Sequence, residues 1–377
     1  MKILHLVNTL DPRGGGVTEA VKQFSVTLTE SGHENEIVTV DAPQDKWDDL
    51  DGIPIHRIGP AKSAYGYSEK LIPWLREHGK RFDLAITHGL WQYHGPATRK
   101  VFRELGRPYF VFAHGMLDVW FKTNYPLKHL KKWLFWPWAD YRVMRDAKSV
   151  IYTSENEMIS SRKSFWLYRC HESVVRYGIM LPDKDPKTAE AAFLEKYPEL
   201  KGQRFLLFIG RIHEKKGLDL LCKAWAEIDQ EKRPPLVVAG PEEQPELLKT
   251  ARDLAGPDGF HYLGMLDNEE KWGAMAAAEA MILPSHQENF GLVVAEAMIM
   301  GTPVLISDKV NIWKETTESG AGLVAPDTLE GTRVLLDSWL AMSYDQRDSM
   351  AACAHPACES LFDLRQNTEA LIEVLER

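Results

Sequence analysis

Two carboxylates flank the first half of an apolar stretch, SHQENFGLVVAEAMIMGTP, at residues 285–303. They are Glu288 and Glu296, and Gly291 between them precedes a helix that the apolar pattern predicts from about Leu292. The first amides of a helix have no acceptor within the helix and lie at the positive end of its dipole, so they favour an anion such as phosphate. Carboxylates beside them can accept hydrogen bonds from sugar and ribose hydroxyls. The segment therefore indicates a nucleotide-sugar site; the alternative is a capped core helix whose two glutamates face water.

A cationic pair follows the buried strand that is predicted over 205–209. Arg211 comes directly after Gly210 at the end of that strand, and Lys216 lies where the next helix opens. Because ligands of open α/β sheets bind outside the carboxyl ends of the strands, both side chains are expected at the same crevice. There they can neutralise a diphosphate, and Lys216 can stabilise a departing phosphate. A lysine turn alone is typical of solvated surface, but its combination with the two glutamates favours a binding site.

The first half of the chain carries weaker candidates. A glycine-rich turn, Pro12–Gly16, separates the first predicted strand from a helix and contains Gly15 and Gly16. The G-x-G-x-x-G fingerprint of a nicotinamide site lacks its third glycine here, which disfavours a dehydrogenase. His114 ends a predicted strand, where it is either a ligand contact or a satisfied strand-end histidine. Further crevice candidates in this half are His88, His94 and Asp118.

No metal or other cofactor is predicted. Cys353, His355 and Cys358 are close in sequence, but no second ligand cluster is present to complete a tetrahedral zinc site. The run Asp183-Lys184-Asp185 has the form DxD, yet it lies in a polar linker rather than after a strand. The four cysteines include no CxxC pair, which indicates reduced thiols and a cytoplasmic protein.

Strand and helix patterns alternate along the chain and predict an α/β fold with two doubly wound, Rossmann-like domains facing across a cleft. The 377 residues, of which 44% are hydrophobic, suffice for two cores, and no run of eighteen apolar residues predicts a membrane-spanning helix. The predicted domains are 1–180 and 181–358, with a terminal helix over 359–377 that packs back on the first. The predicted strands cover 2–8, 36–40, 83–88, 109–114 and 149–153, and then 205–209, 236–239, 261–263, 280–283 and 303–306.

Charge is distributed unevenly between the two halves. Residues 1–175 carry 24 basic and 20 acidic side chains, whereas residues 176–377 carry 21 and 34. Within the first half, residues 120–148 hold eight aromatic and seven basic side chains. A basic amphipathic segment with tryptophans is typical of a peripheral contact with a membrane surface, and the alternative is an aromatic core of the first domain. Nucleic acid is not expected as a partner, because no recognised binding module accompanies the charge.

The segments IGRIHEKKG at 209–217 and ENFGLVVAEAM at 288–298, with the glycine turn near the N-terminus, resemble the family-4 retaining glycosyltransferases of the GT-B fold. The spacing of the two glutamates matches that family's E-x7-E motif. The resemblance implies catalytic roles for His114, Glu288, Arg211 and Lys216. It also implies that the donor is held by Gly15, Gly16, Arg211, Lys216, Leu266, Glu288, Asn289, Phe290, Gly291, Leu292 and Glu296. In that assignment Glu296 binds the ribose, the 264–266 loop the base, and the cations the diphosphate; no metal is needed.

The resulting hypothesis is a retaining hexosyltransferase that uses a UDP- or GDP-sugar. Its acceptor is expected to be a glycan hydroxyl, on a lipid-linked oligosaccharide of exopolysaccharide or O-antigen biosynthesis. The protein is then cytoplasmic, with a peripheral contact at the inner face of the membrane. Two alternatives remain open: a sugar-nucleotide epimerase of the same fold, which turns over the donor without an acceptor, and a non-catalytic subunit that only binds the nucleotide-sugar.

Overall fold

The computed structural model describes residues 1–12, 15–45, 47, 50, 52–180, 185–255 and 259–377, without the side chains of Phe121 and Thr123. Two compact units are formed, Met1–Gly178 with Leu364–Arg377 and Ile179–Asp363. The sequence places the divisions after 180 and 358 instead. Each unit has its own parallel sheet with helices between successive strands, so the predicted α/β class with two Rossmann-like domains is confirmed.

The first unit contains seven strands among its described residues, in the order β3-β2-β1-β4-β5-β6-β7. Its strands are β1 Lys2–Leu6, β2 Glu34–Thr39, β3 Ile55–Arg57, β4 Leu84–His88, β5 Tyr109–Phe112, β6 Ser149–Tyr152 and β7 Glu172–Val174. Its first seven helices are α1 Gly16–Glu30, α2 Leu71–His78, α3 His94–Glu104, α4 Trp120–Asn124, α5 Pro126–Phe135, α6 Asp140–Asp146 and α7 Glu155–Ser164. The central strands β4 and β5 are buried along their whole length, which is why β5 is a continuous apolar run in the sequence.

The second unit has six described strands, in the order β10-β9-β8-β11-β12-β13. They are β8 Leu206–Ile209, β9 Leu236–Ala239, β10 Phe260–Gly264, β11 Ala280–Leu283, β12 Val304–Ser307 and β13 Gly322–Ala325. The helices are α8 Pro186–Lys196, α9 Leu218–Ala226, α10 Pro245–Ala255, α11 Asn268–Ala277, α12 Leu292–Ile299, α13 Trp313–Glu318, α14 Leu329–Ala341 and α15 Tyr344–Phe362. The strand order reverses between β8 and β11, and such a switch point is where open parallel sheets bind ligands.

The terminal segment 359–377 is divided between two helices rather than forming one. Helix α15 continues through Pro356 to Phe362, and α16 spans Leu364–Glu376 after a break at Asp363. Helix α16 belongs to the first unit, where the hydroxyls of Thr27 and Thr368 lie 2.6 Å apart. Throughout the described part of the chain, no helix combines the length and apolarity needed to cross a membrane.

Candidate functional site

The loops after β8 and β11 bring Lys216 and Glu288 into an ion pair. Lys216 ends the short 3-10 helix Glu214–Lys216, and its Nζ contacts Oε2 of Glu288, 72 positions away in the chain. The side chains are only 14% and 19% exposed, so water screens the pair weakly. Both loops extend from the two strands at the switch point of the sheet. The structure therefore unites the two groups of residues that the sequence identifies separately.

Burial of Lys216 lowers the pKa of its side chain. Desolvation lowers the pKa of its ammonium to about 7, and the nearby charges of Arg211 and Lys215 act in the same direction. Contact with the Glu288 carboxylate favours the charged form of the lysine. An ammonium that is short of water and held by a single carboxylate is a strong site for an incoming phosphate.

Gly291 opens the N-terminus of α12 to an anion. It caps the helix in the left-handed conformation, with φ of 82° and ψ of 53°, and no side chain caps the first amides. A Cβ at this position would lie 2.9 Å from Cγ1 of Val310, which explains the requirement for glycine. Helix α12 begins at Leu292, as the sequence predicts, and its first turn contains no acidic residue that would compete with phosphate.

The backbone of Glu288 is fixed independently of its side chain. Its N–H donates to the carbonyl of Lys309 at 3.0 Å, and its carbonyl accepts from the N–H of Asn311 at 3.2 Å. Two residues later, the Phe290 ring is buried edge-on against Phe362, with ring centroids 5.2 Å apart. These contacts hold the turn from Glu288 to Leu292, including Asn289, in one conformation, so its amides are positioned by the fold.

Arg211 and Glu296 each have an oppositely charged partner that sequence reasoning missed. Arg211 Nη1 donates to Glu243 Oε1 at 3.1 Å, with both side chains largely exposed. Lys271 Nζ donates to Glu296 Oε1 at 2.7 Å, and this carboxylate is almost fully buried. The partners lie 32 and 25 positions away in the chain, and no local spacing pattern could indicate them. Both groups that are predicted to contact the donor thus have a charged protein partner.

Leu266 lies in the loop between β10 and α11. The adjoining Met265 is exposed, Leu266 is half-buried, and Gly264 has a φ of 74° that aims the loop away from the strand. The loop assigned to the base leads directly into α11, and Lys271 on that helix donates to Glu296 on α12. The base assignment itself stays a prediction.

In the first unit, Gly15 caps α1 with φ of 68° and ψ of −140°, and no side chain caps the helix. Among the described residues, no heavy atom lies within 4 Å of an added Cβ at Gly15. Arg13 and Gly14, which belong to the same predicted turn, lie outside the described residues. The contact of Gly15 and Gly16 with the donor, which the resemblance implies, stays a prediction.

His114 has both ring nitrogens occupied by protein groups. Its Nε2 lies 3.1 Å from Nδ1 of His88, and its Nδ1 contacts the hydroxyl of Tyr177. The residue has a φ of 51°, and burial lowers the pKa of the imidazole to about 3. These contacts agree with the alternative of a satisfied histidine, and a contact of His114 with the donor stays a prediction.

The described residues contain no group of three or more histidine, cysteine or acidic side chains arranged to hold a metal ion. Asp183 and Lys184 of the DxD run lie outside the described residues, and Asp185 caps α8 by accepting from the N–H of Thr188 at 3.1 Å. Cys358 is buried on α15, where its Sγ donates to the carbonyl of Ala295 at 3.2 Å.

The segment 120–148 divides into a buried part and an exposed part. Trp136 is fully buried and stacks on Phe165 with centroids 4.3 Å apart, as the core alternative predicts. Helix α5 has no buried residue at all. What we call the α5 surface consists of the exposed apolar side chains Leu127, Leu130, Leu134, Phe135 and Trp138. Leu127 is 77% and Trp138 72% exposed, and Lys128 and Lys131 are exposed beside them.

Comparison with known proteins identifies the family. Residues 15–165 match the glycosyl transferase 4-like domain, and residues 190–352 match the glycosyl transferases group 1. The D-rhamnosyltransferase WbpZ of Pseudomonas aeruginosa is 27% identical over 96% of this chain and 92% of its own length. The chain belongs to the GT-B glycosyltransferases.

Solved structures agree with this fold. WaaG, a glycosyltransferase involved in lipopolysaccharide biosynthesis, superposes with a TM-score of 0.73 at 19% identity, over 99% of each chain. Anabaena HepE, solved in complex with UDP and glucose, gives a TM-score of 0.78 at 16% identity, over 100% of this chain and 99% of that one. At these identities the likeness shows the fold of the chain and does not identify its substrates.

Proposed function

We propose that the glycosyltransferase moves a hexose, with retention of configuration, from a UDP- or GDP-sugar to a glycan hydroxyl on a lipid-linked oligosaccharide, in exopolysaccharide or O-antigen biosynthesis. One observation carries the proposal: Lys216 and Glu288 are paired next to the uncapped amides of α12. A cation, open amides and a carboxylate in one place match a diphosphate with a sugar attached. The UDP and glucose bound to HepE support a nucleotide-sugar as the donor.

In this proposal the resting ion pairs are exchanged for contacts with the donor. The diphosphate takes over Lys216 and the α12 amides, and Glu288 is released to accept hydrogen bonds from sugar hydroxyls. Arg211 leaves Glu243 for the same diphosphate, and Glu296 accepts from the ribose. For Lys216 and Arg211, each exchange replaces a carboxylate by a phosphate oxygen, so both cations keep an anionic partner. His114, Gly15, Gly16 and Leu266 remain proposed contacts of the same donor.

The chemical step that we propose takes place on one face of the sugar. The bond between C1 and the phosphate oxygen breaks, and the acceptor hydroxyl forms its bond to C1 on that face. The acceptor's proton passes to the departing phosphate oxygen, whose charge Arg211, Lys216 and the α12 amides stabilise. Lys216, with its lowered pKa, is charged while it binds the phosphate, because the anion favours the protonated form.

The acceptor proposal includes a peripheral membrane contact through 120–148. Its support is the α5 surface, where apolar side chains and exposed lysines lie together, as membrane-interface helices require. We expect vesicles containing phosphatidylglycerol to bind the protein and the double variant Leu134→Glu, Trp138→Glu to lose that binding. Val334→Glu, on an exposed apolar residue of α14, is the control. If the double variant binds the vesicles as well as the wild-type protein does, the α5 surface is not the membrane contact.

The transfer reaction is tested with Lys216→Met. UDP- and GDP-sugars are incubated with a lipid-linked acceptor, and release of the nucleotide diphosphate is measured. Loss of the ammonium should reduce the rate about 100-fold or more, as for other groups that stabilise a developing charge. The control is Lys223→Met on α9, whose lysine pairs with Asp219 one turn away. An unchanged rate for Lys216→Met would contradict the site assignment. Donor conversion without acceptor would indicate an epimerase, and binding without turnover a non-catalytic subunit.

A further inference from the structure

Three buried histidines form a row of hydrogen bonds across the sheet of the first unit. His5 lies on β1, His88 at the end of β4, and His114 just beyond the end of β5, and these strands are neighbours in the sheet. His5 Nδ1 lies 3.1 Å from His88 Nε2, and His88 Nδ1 lies 3.1 Å from His114 Nε2. The row ends at Asn35 on β2, whose Oδ1 lies 3.0 Å from His5 Nε2. At the other end, His114 Nδ1 contacts the hydroxyl of Tyr177.

The orientation of the Asn35 amide is fixed by groups that can only accept. Its Nδ2 lies 3.1 Å from the carbonyl oxygen of His33 and 3.0 Å from Oγ1 of Thr29. The Thr29 hydroxyl donates its own hydrogen to the carbonyl of Ser25 at 2.8 Å, so towards Asn35 it accepts. A reversed amide would place its oxygen against both acceptors. Oδ1 therefore points to His5 and requires a hydrogen on His5 Nε2.

The hydrogen on His5 Nε2 determines the tautomers of His88 and His114 in turn. A neutral imidazole carries one hydrogen, so His5 Nδ1 accepts from His88 Nε2, and His88 Nδ1 accepts from His114 Nε2. His114 Nδ1 is then left as an acceptor, and the Tyr177 hydroxyl donates to it. Protonation of His5 or His88 would place two N–H groups against each other at one junction, whereas Nδ1 of His114 faces the Tyr177 hydroxyl. Burial disfavours the charged form as well, since it lowers the pKa of His5 to about 4 and that of His114 to about 3.

We propose that Asn35, His5 and His88 are positioning residues that fix the hydrogen of the neutral His114 imidazole on Nε2, so that its Nδ1 can only accept a hydrogen bond. Consequently, a ligand group that replaces Tyr177 at this atom must be a donor, such as a sugar hydroxyl, whereas a carboxylate is rejected. The second statement rests on the proposed function, in which His114 contacts the donor sugar. The first depends only on the hydrogen bonds within the unit.

The array is tested by nitrogen NMR on protein labelled in its histidines. In the wild-type protein we expect His114 to carry its hydrogen on Nε2 between pH 6 and 8. Asn35→Leu removes the acceptor that orients the row, so His114, which Asn35 does not touch, should become a mixture of tautomers. Asn35→Asp keeps an acceptor at this position and should restore the single tautomer. Thr29→Val removes a hydrogen bond from the other side of the amide and is the control for general loss of packing.

The ligand statement is tested with UDP-glucose and UDP-glucuronate, which differ only at C6, where the hydroxymethyl group of glucose is a carboxylate in glucuronate. We expect the wild-type protein to bind the hydroxyl form about ten-fold more tightly, as expected when a buried acceptor faces an acceptor. Asn35→Leu should reduce this preference, and Thr29→Val should preserve it.

Each outcome has a separate meaning. A hydrogen on His114 Nδ1 in the wild-type protein, or an unchanged tautomer in a folded Asn35→Leu variant, would overturn the array. Equal affinity of the wild-type protein for the two sugars would overturn the ligand statement. If the protein binds neither nucleotide-sugar nor UDP, the proposed function fails, and with it the ligand statement, while the NMR result still decides the array.

Discussion

Glu288 has two partners in the course of the proposed reaction, and its removal should separate binding from catalysis. Its carboxylate pairs with Lys216, so in the proposed reaction it competes with the diphosphate for this ammonium. Glu288→Gln should therefore raise the affinity for UDP about two- to five-fold, which corresponds to a net ion-pair energy of about 0.4–1 kcal/mol. Transfer should fall at the same time, because the sugar loses its acceptor. Calorimetry at pH 6, where Lys216 is charged, measures the first effect. Weaker UDP binding by the variant would show that Glu288 assists the diphosphate rather than competing with it.

Gly291 carries both a conformational and a steric requirement, and a second glycine allows them to be separated. Its φ is 82° and an added Cβ would meet Val310, whereas Gly301 has a φ of 80° and no described atom lies within 4 Å of an added Cβ there. Gly291→Ala and Gly301→Ala should each cost about 1–2 kcal/mol of stability through the left-handed backbone. Only Gly291→Ala should also weaken UDP binding, because the α12 turn must move. Denaturant unfolding and nucleotide titration of both variants test this. Equal UDP affinity would mean that the turn does not hold the phosphate.

At the scale of elements, the sequence predicts all nine described interior strands of the two sheets and misses three of the four edge strands. Burial on both faces enriches the interior strands in apolar residues, which makes them recognisable in the sequence. The missed strands β3, β7 and β13 have three or four residues, are largely half-buried, and lie at the edges of the two sheets. An edge strand contributes one ladder of hydrogen bonds and little core, so its composition does not distinguish it from a loop.

The candidate site shows the same division. The start of α12 and the cationic turn after β8 follow from local signals, since a glycine before an apolar helix and a strand end can be read from neighbouring residues. The partners Glu243 and Lys271 lie 32 and 25 positions from the residues they pair with, and only the packing of elements brings them together. The histidine row is similar, because three histidines at strand positions reveal nothing until the order of the strands is known.

Four buried histidines of the first unit should each make stability fall as the pH falls. His5, His88, His94 and His114 are buried, and burial lowers the pKa of each below the unfolded value of about 6.5, to about 4 for His5 and His94. Between about pH 6.5 and 4 the unfolded chain binds more protons than the folded one, so stability falls as the pH falls through this window and is fully present above it. Each histidine should contribute about 1.4 kcal/mol per pH unit there.

Thermal unfolding between pH 8 and 5 measures this dependence. His94→Gln keeps a donor for the His88 carbonyl, to which His94 Nε2 donates at 2.9 Å, but does not titrate. In this variant, the free energy of unfolding should change less steeply with pH, by about 1.4 kcal/mol per pH unit. An identical slope would mean that His94 is accessible to protons in the folded protein.

At the scale of the whole molecule, the first unit depends on a segment that follows the entire second unit in the chain. Helix α16 supplies Leu371, which is 0% exposed, and Asn367, whose Nδ2 donates to the carbonyl of Tyr177 at 3.0 Å. Leu371→Ala should therefore destabilise the first unit by about 2–5 kcal/mol, the usual cost of emptying a buried leucine site. Ile372→Ala, next to it but half-buried, should cost less.

Because Ile179–Asp363 is a separate unit, the UDP affinity of the folded Leu371→Ala variant should be unchanged if the second unit alone holds the nucleotide. Hydrogen exchange of the two units locates the destabilisation, and equal loss of protection in both would show that they unfold as one.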